Sequence, residues 1–103
     1  MAKQIEKLSE EKIDRAASIL KSLGHPMRIS IIQYLEDEKE LTVTQLHNLL
    51  NIEQSTTSHH LGILKEKGIL GARRRGKNTF YYLKEDRLGY IIECISQCAI
   101  PYY

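Results

Sequence analysis

The chain has 103 residues, which is enough for one domain with a modest core but not for two independent domains. Its formal net charge of +2 is unevenly placed, since residues 1–52 carry seven Lys and Arg against eight Asp and Glu, whereas residues 53–103 carry eight against five. No apolar run is long enough to span a bilayer, and the N-terminus lacks the apolar core of a signal peptide. We therefore expect a cytoplasmic protein with no membrane partner, whose two cysteines are reduced.

The first third of the chain predicts two apolar helices. Ser9 can cap a first helix that Gly24 ends. His25 and Pro26 start the second, because the missing N–H of proline costs nothing at the first helical position. This second helix is heavily apolar, so we expect it to be central, and the acidic run 36–40 after it is a solvated connection.

The third helix has the clearest start signal in the chain. Thr42 and Gln45 match a capping box, in which each side chain bonds the backbone N–H of the other residue. The helix should end at Asn51, a residue type that tolerates a left-handed conformation. A more polar helix follows within a few residues, and two helices joined by so short a turn predict a helix-turn-helix over 42–67.

The polar helix is expected to read DNA. Leu61, Ile63 and Leu64 recur at helical spacing, Gly68 is a C-cap residue, and Glu53 at the N-cap is not one of the preferred capping types. The opposite arc has no acidic group, so it can face phosphates and base edges without repulsion. That arc consists of Gln54, Ser55, Thr56, Ser58, His59 and Gly62.

A basic hairpin over 69–84 comes next, with strands predicted at 69–75 and 79–83. Its returning strand is rich in aromatic residues that can anchor it, and its tip can reach a phosphate backbone or a minor groove. The cationic residues of the tip are Arg73, Arg74, Arg75 and Lys77. The alternative is a solvated charged turn, but the polar helix just before it favours a wing that contacts DNA.

A last helix is predicted to open at Glu85 and Asp86 and to run to about Ile100, before Pro101. The segments 9–23 and 85–100 are both more apolar than a monomer of this size needs. They are therefore expected to form a dimer interface, and a dimer would supply the two-fold symmetry of palindromic DNA sites.

Three stretches resemble the ArsR/SmtB family of winged-helix repressors: LGHPMRISIIQYL, LTVTQLHNLLNIEQSTTSHHLGILKEKGIL and RRRGKNTFYYL. The motifs H-P-x-R, Q-S-x-x-S-H-H-L-x-x-L and R-x-G-x-x-x-x-Y-Y occur in the family's order over 16–83. The resemblance implies a mainly α winged helix-turn-helix with five helices and a β-hairpin wing, dimeric through its first and last helices and bound to an operator. Carried over by position, its recognition-helix residues are Gln54, Ser55, Thr57, Ser58, His59 and His60, and its wing is 73–77.

The sequence departs from the family at both of its metal sites. Metal-sensing members carry E-L-C-V-C-D-L, whereas 40–46 reads E-L-T-V-T-Q-L here, so Thr42 and Thr44 replace both thiols. Of the ligands of a second metal site in the family, only Asp86 is present here, and Leu88 stands where a histidine would be. We therefore expect neither metal site.

Cys94 and Cys98 remain as sensing candidates. On a helix, spacing four puts two thiols on one face, where they could hold a soft metal or metalloid, or react with each other after oxidation. Two thiolates are an incomplete site, so a second subunit or another ligand would have to complete it. The alternative is that both cysteines only pack in the dimer interface.

The histidines are a poor basis for a metal site. His59 and His60 are neighbours and point about a third of a turn apart on a helix, which favours DNA contact for one and packing or capping for the other. His25 is a helix-start residue, and His47 an exposed one. Arg28 could reach a phosphate, or pair with the acidic run.

The chain is thus expected to be one winged-helix domain, 1–103 with a loose segment 1–8, and to act as a dimeric, sequence-specific transcriptional repressor released by an inducer. One alternative is a winged-helix protein-interaction module. Another is an ArsR-like repressor without metal or redox sensing. An enzyme is not expected, because there is no nucleophile with a base and orienter, no glycine-rich phosphate loop and no metal triad.

Overall fold

The computed structural model of the protein describes residues 7–98, which fold into five helices and a small antiparallel sheet. In chain order the elements are α1 (Glu10–Leu23), α2 (Pro26–Tyr34), β1 (Leu41–Thr42), α3 (Val43–Leu50), α4 (Gln54–Glu66), β2 (Leu70–Arg75), β3 (Asn78–Leu83) and α5 (Arg87–Ser96). The predicted class, mainly α with a hairpin wing after a helix-turn-helix, is confirmed.

The sheet has three strands in the order β1-β3-β2. The sequence predicted only the hairpin of β2 and β3. The additional strand, β1, is two residues long, which is too short to show an alternating pattern. Its Leu41 lies opposite Tyr81 of β3. In the hairpin Arg75 lies opposite Asn78, which leaves a two-residue turn. That turn begins with Gly76 at φ 61°, a left-handed conformation that favours glycine.

The capping box at the start of α3 is present. The backbone N–H of Gln45 donates to Oγ1 of Thr42 at 3.1 Å, and the N–H of Thr42 donates to Oε1 of Gln45 at 2.9 Å. Two backbone donors that a helix start leaves without a helical partner are thereby satisfied. Thr42 is also paired in β1, so the cap holds the start of α3 against the sheet.

The prediction that the last helix reaches about Ile100 is wrong at its C-terminal end. The helix stops at Ser96, and the N–H of Cys98 donates to the Ile95 carbonyl in a tighter, non-α turn. Ile92 is its last buried residue among those described, so core packing does not extend the helix further. Cys94 therefore lies in α5 and Cys98 beyond it, while Ile100 and Pro101 fall outside the described residues.

The core lies where α2, α3 and α4 meet the sheet. As predicted, α2 is central, since Ile31, Ile32 and Leu35 have almost no exposed surface. The other buried apolar residues are Leu23, Leu46, Leu61, Leu64, Ile69, Leu70, Leu83 and Ile92. Burial of such side chains is the main force that holds the three helices together.

Two helices keep apolar side chains in solvent. On α1 and α5, Leu20, Tyr90 and Ile95 are all more than half exposed. An apolar cleft of about 360 Å³ opens between α1, α2 and α5. Within residues 7–98, no helix has the length and hydropathy needed to cross a membrane.

Candidate nucleic-acid interface

Left-handed residues at both ends fix the position of α4. Asn51, in the turn from α3, has φ 57° and ψ 45° as predicted. After α4, Gly68 has φ 77°; its N–H donates to the Lys65 carbonyl, and the N–H of Ile69 donates to the Leu64 carbonyl, both at 3.0 Å. This pair of bonds is a Schellman motif, and because Leu64 and Ile69 are buried it ties the end of α4 to the start of the wing.

The outward side of α4 carries small polar side chains, and we call it the reading face: Gln54, Ser55, Thr56, Ser58, His59 and Gly62, all of them exposed. It matches the arc predicted from helical spacing. No acidic residue interrupts it between the N-cap Glu53 and Glu66 at the end of the helix. An ideal Cβ on Gly62 would have nothing within 4 Å, so the backbone is open to close approach by a ligand at this point.

The structure contradicts two of the contacts carried over from the family resemblance. Thr57 is completely buried, and its Oγ1 donates to the Glu53 carbonyl at 3.0 Å. His60 is only 5 % exposed. Both lie on the inner side of α4 with Leu61 and Leu64, at the i, i+3, i+4, i+7 spacing of a buried stripe, so neither can touch DNA directly.

In the wing, two of the four cations are held by an acid. Arg75 Nη2 lies 2.5 Å from one carboxylate oxygen of Glu40, and Arg73 Nη1 lies 3.8 Å from the other. The same guanidinium groups stack on aromatic rings, Arg73 over Tyr82 and Arg75 over Phe80, each 4.7 Å from the ring centroid. We call Glu40 with its two arginines the wing clamp, and it occupies one face of the hairpin.

The other cations of the wing point elsewhere. Arg74 alternates to the opposite face of β2, and its Nε donates to the Gly76 carbonyl at 3.3 Å. Lys77 is exposed at the turn. Arg74 and Lys77 are therefore the wing cations best placed to meet a phosphate.

Gly71 leaves room for the Tyr82 ring on which Arg73 stacks, and sequence reasoning overlooked it. It lies opposite Tyr82 in the sheet, and a Cβ at this position would be 2.3 Å from Cζ of that ring. The Tyr82 ring lies across β2 where a side chain at residue 71 would force it to move. A glycine inside a strand pattern is a signal of such close approach and could have revealed it.

Among the described residues Arg28 forms no ion pair with the acidic run, which was one of the two roles predicted for it. Its Nε donates to Nδ1 of His60 at 3.2 Å, and its Nη1 donates to the Ser22 carbonyl at 3.0 Å. His25, the N-cap of α2, accepts the Met27 N–H on its own Nδ1 at 3.1 Å. The His25 and His60 rings are 4.5 Å apart, so a polar cluster joins α1, α2 and α4 beneath the reading face.

Both cysteines are free and exposed. Cys98 lies beyond the end of α5, so the two thiols do not share one α-helix face as predicted. Among the described residues, no three His, Cys, Asp or Glu side chains form a group that could hold a metal ion.

Comparison with known proteins places this geometry in a family. The family described as "Bacterial regulatory protein, arsR family" matches residues 25–71. The chain is 39% identical over 87 residues to an uncharacterized HTH-type transcriptional regulator of Methanocaldococcus jannaschii, covering 84% of this chain and 98% of that protein. It is 38% identical over 86 residues to the biofilm growth-associated repressor of Agrobacterium fabrum, covering 84% and 73% of the two.

A solved structure supports the same family. The transcriptional repressor PagR of Bacillus anthracis superposes with a TM-score of 0.74 at 32% identity, covering 84% of this chain and 99% of that one. The chain belongs to the ArsR family of bacterial regulatory proteins, as a winged helix-turn-helix, DNA-binding transcriptional regulator.

Proposed function

We propose that the protein is a homodimeric repressor that binds a specific operator through the reading face of α4 and the tip of the wing. The observation that carries this proposal is the reading face itself, an exposed, acid-free helix surface that follows a tight turn and precedes a basic hairpin. Ser, Thr, Gln and His side chains suit contacts to base edges and to phosphates. Relatives named as repressors support the direction of regulation.

The wing supplies the part of the binding that does not depend on sequence. Arg74 and Lys77 are exposed at its tip, and each phosphate that such a cation neutralises releases a condensed counterion. Binding should therefore weaken as salt rises. A winged-helix module that only binds other proteins would have no reason to keep an acid-free face beside a basic tip, and it would show no preference among duplexes.

The exposed apolar surfaces of α1 and α5 support a homodimer. Leu8 and Ile13 at the start of the chain, and Ile91 on α5, are exposed together with the three large apolar residues described above. Monomers seldom expose so many apolar side chains on neighbouring elements, and an isologous dimer would cover two such surfaces at once. A dimer would also place two reading faces about one helical turn of DNA apart.

A reporter assay tests the direction of regulation. A reporter gene behind the chain's own upstream DNA should be expressed less when the protein is supplied than when a variant with alanine at both Ser58 and His59 is supplied. Equal expression with both proteins would refute repression at that site, and higher expression with the wild type would make the protein an activator.

We further propose that release from the operator acts through Cys94 and Cys98. Both thiols are free and accessible, and Cys94 lies on the helix assigned to the dimer interface, so a change there can alter the spacing of the two reading faces. A soft metal, a metalloid such as arsenite, or an oxidant are the chemical classes that thiols select.

Fluorescence anisotropy of the protein–operator complex, with zinc, arsenite or a mild oxidant added, tests this second proposal. Release that disappears when both cysteines are replaced by serine would support a thiol sensor. Binding indifferent to all three would leave an ArsR-type repressor whose cysteines only pack.

A further inference from the structure

We propose that Arg28 and His60 are a positioning pair that sets the angle of the reading helix, and that operator binding requires both His60 and His25 to be neutral. The inference rests on the proposed function, since it concerns how the reading face is held. Neither residue touches DNA in this account; both act through the orientation of α4.

The hydrogen-bond partners determine where the ring protons lie. The Nδ1 atom of His60 faces Nε–H of Arg28, and the Nδ1 atom of His25 faces the backbone N–H of Met27. An arginine and a backbone amide can only donate, so each Nδ1 must be an acceptor and each ring must carry its single proton on Nε2. A second proton on either ring would set two donors against each other.

Arg28 links three helices through this arrangement. Its Nη1 bonds the carbonyl of Ser22, one of the C-terminal carbonyls of α1 that has no partner within the helix, while its Nε bonds His60 on α4. The carbonyl end of a helix favours a cation, so the guanidinium is well placed there. The result is a fixed connection from the end of α1, through the start of α2, to the inner side of α4.

The connection lies directly behind the residues that would read DNA. His60 occupies the inner side of α4, and His59, the next residue, lies on the reading face with its ring centroid 6.0 Å from that of His60. A small rotation of α4 about its axis at His60 therefore moves the reading face by a similar angle. Loss of the Arg28 bond should disturb specific contacts more than general attraction to phosphates.

Protonation would break the connection. The groups that act on His60 are His25 and Arg28 from the α2 side and His59 from its own helix, and α1 contributes the carbonyl that Arg28 bonds. Burial, and then these three cationic or potentially cationic groups, lower the pKa of His60 from its ordinary value. The neutral ring is thus the state that the fold supports, and a second positive charge beside Arg28 would repel it.

Substitution with asparagine tests the pair. In His60→Asn the side-chain Oδ1 takes the place of Nδ1, accepts from Arg28 and does not titrate near neutral pH. His60→Leu fills the space and removes the acceptor, and His25→Asn keeps a good N-cap residue without an imidazole ring. Operator and random duplex affinities are measured by anisotropy from pH 5.5 to 7.5 for the full-length wild type and for each variant, with thermal melting to confirm folding.

At pH 7.5 we expect His60→Asn to bind the operator like the wild type and His60→Leu to bind it roughly tenfold more weakly, with a smaller change on random DNA. Between pH 7.5 and 5.5 the wild type should lose operator affinity relative to a protein with both His25→Asn and His60→Asn. The loss should be severalfold, because the lowered pKa of His60 moves its protonation towards the acid end of this range. His59 is present in all of these proteins, so any contribution from it is the same on both sides of the comparison.

The outcomes separate this inference from the proposed function. A wild type that shows no preference for any operator at any pH would overturn the proposed function, and this inference with it. A wild type with clear preference whose pH profile is unchanged by the asparagine variants, or a folded His60→Leu that binds like the wild type, would overturn the positioning pair alone.

Discussion

Replacing Glu40 with glutamine should strengthen DNA binding, because Glu40 is the acid of the wing clamp. Its carboxylate holds Arg75 at 2.5 Å and Arg73 at 3.8 Å, and it places a negative charge beside the segment that would approach phosphates. Glutamine keeps the size and the hydrogen-bonding capacity of the side chain and removes the charge. Both arginines then become available to the duplex while their rings, Tyr82 and Phe80, still support them.

The size of the effect follows from the exposure of the pair. The arginine side chains are 56% exposed and that of Glu40 is 23% exposed, so each ion pair is screened by solvent and contributes about 0.2–1 kcal/mol. Counting only the shorter pair, Arg75 with Glu40, in each wing of a dimer gives about 0.4–2 kcal/mol, or roughly a twofold to thirtyfold gain in affinity. The slope of log K against log salt should also steepen, by up to about 0.9 per wing.

The assay is anisotropy of a labelled operator at a series of salt concentrations. Glu38→Gln is the matched control. It also removes one negative charge, two residues before Glu40, and the Glu38 side chain has no ion pair among the described residues. The gain should be clearly larger for Glu40→Gln than for the control. Weaker binding by Glu40→Gln would show that the carboxylate instead holds the arginines in a productive position. Equal effects of the two variants would refute the claim that the wing clamp weakens DNA binding.

The remaining predictions concern the reading face, the wing tip and the dimer. His59→Ala should lower operator affinity while sparing random DNA, whereas Arg74→Ala should weaken both and flatten the salt dependence; anisotropy showing the same pattern for both would contradict their roles. Gly62→Ala should stabilise the fold by about 1 kcal/mol in thermal melting, since the added methyl meets no neighbour, and yet weaken operator binding severalfold. Ile95→Asp should convert the dimer to monomers in sedimentation velocity, whereas the nearby Gln97→Asp should not; a monomeric wild type would refute the interface.

Most of the fold could be predicted from the sequence because its signals are local. The capping box at Thr42, the left-handed Asn51 and the helix ending before Gly68 all depend on interactions within a few residues, and each prediction agrees with the structure. The boundary of α5 could not be predicted in the same way. Its end depends on where core contacts stop. The apolar pattern of the sequence continues past Ser96 and therefore predicted a longer helix than the structure has.

In the candidate site, too, the features that depend on local spacing could be predicted and those that depend on tertiary packing could not. Helical spacing predicted the exposed arc of α4, whereas position-by-position transfer from a family added Thr57 and His60, which the structure buries. Counting back four residues from Leu61 and Leu64 would have placed both of them on the inner side. The bonds from Arg28 to His60 and from Glu40 to Arg75 join residues 32 and 35 positions apart in sequence, so no local pattern could reveal them.

The most direct test of the central claim is selection of duplexes from a random pool by the purified, reduced protein, followed by anisotropy on the selected sequence. We predict a palindromic consensus whose half-sites lie one turn of DNA apart, bound at least a thousandfold more tightly than random duplex at physiological salt, on the order found for specific DNA-binding proteins. A pool that yields no consensus, or a consensus bound no better than random DNA, would contradict the account of α4 as a DNA-reading helix.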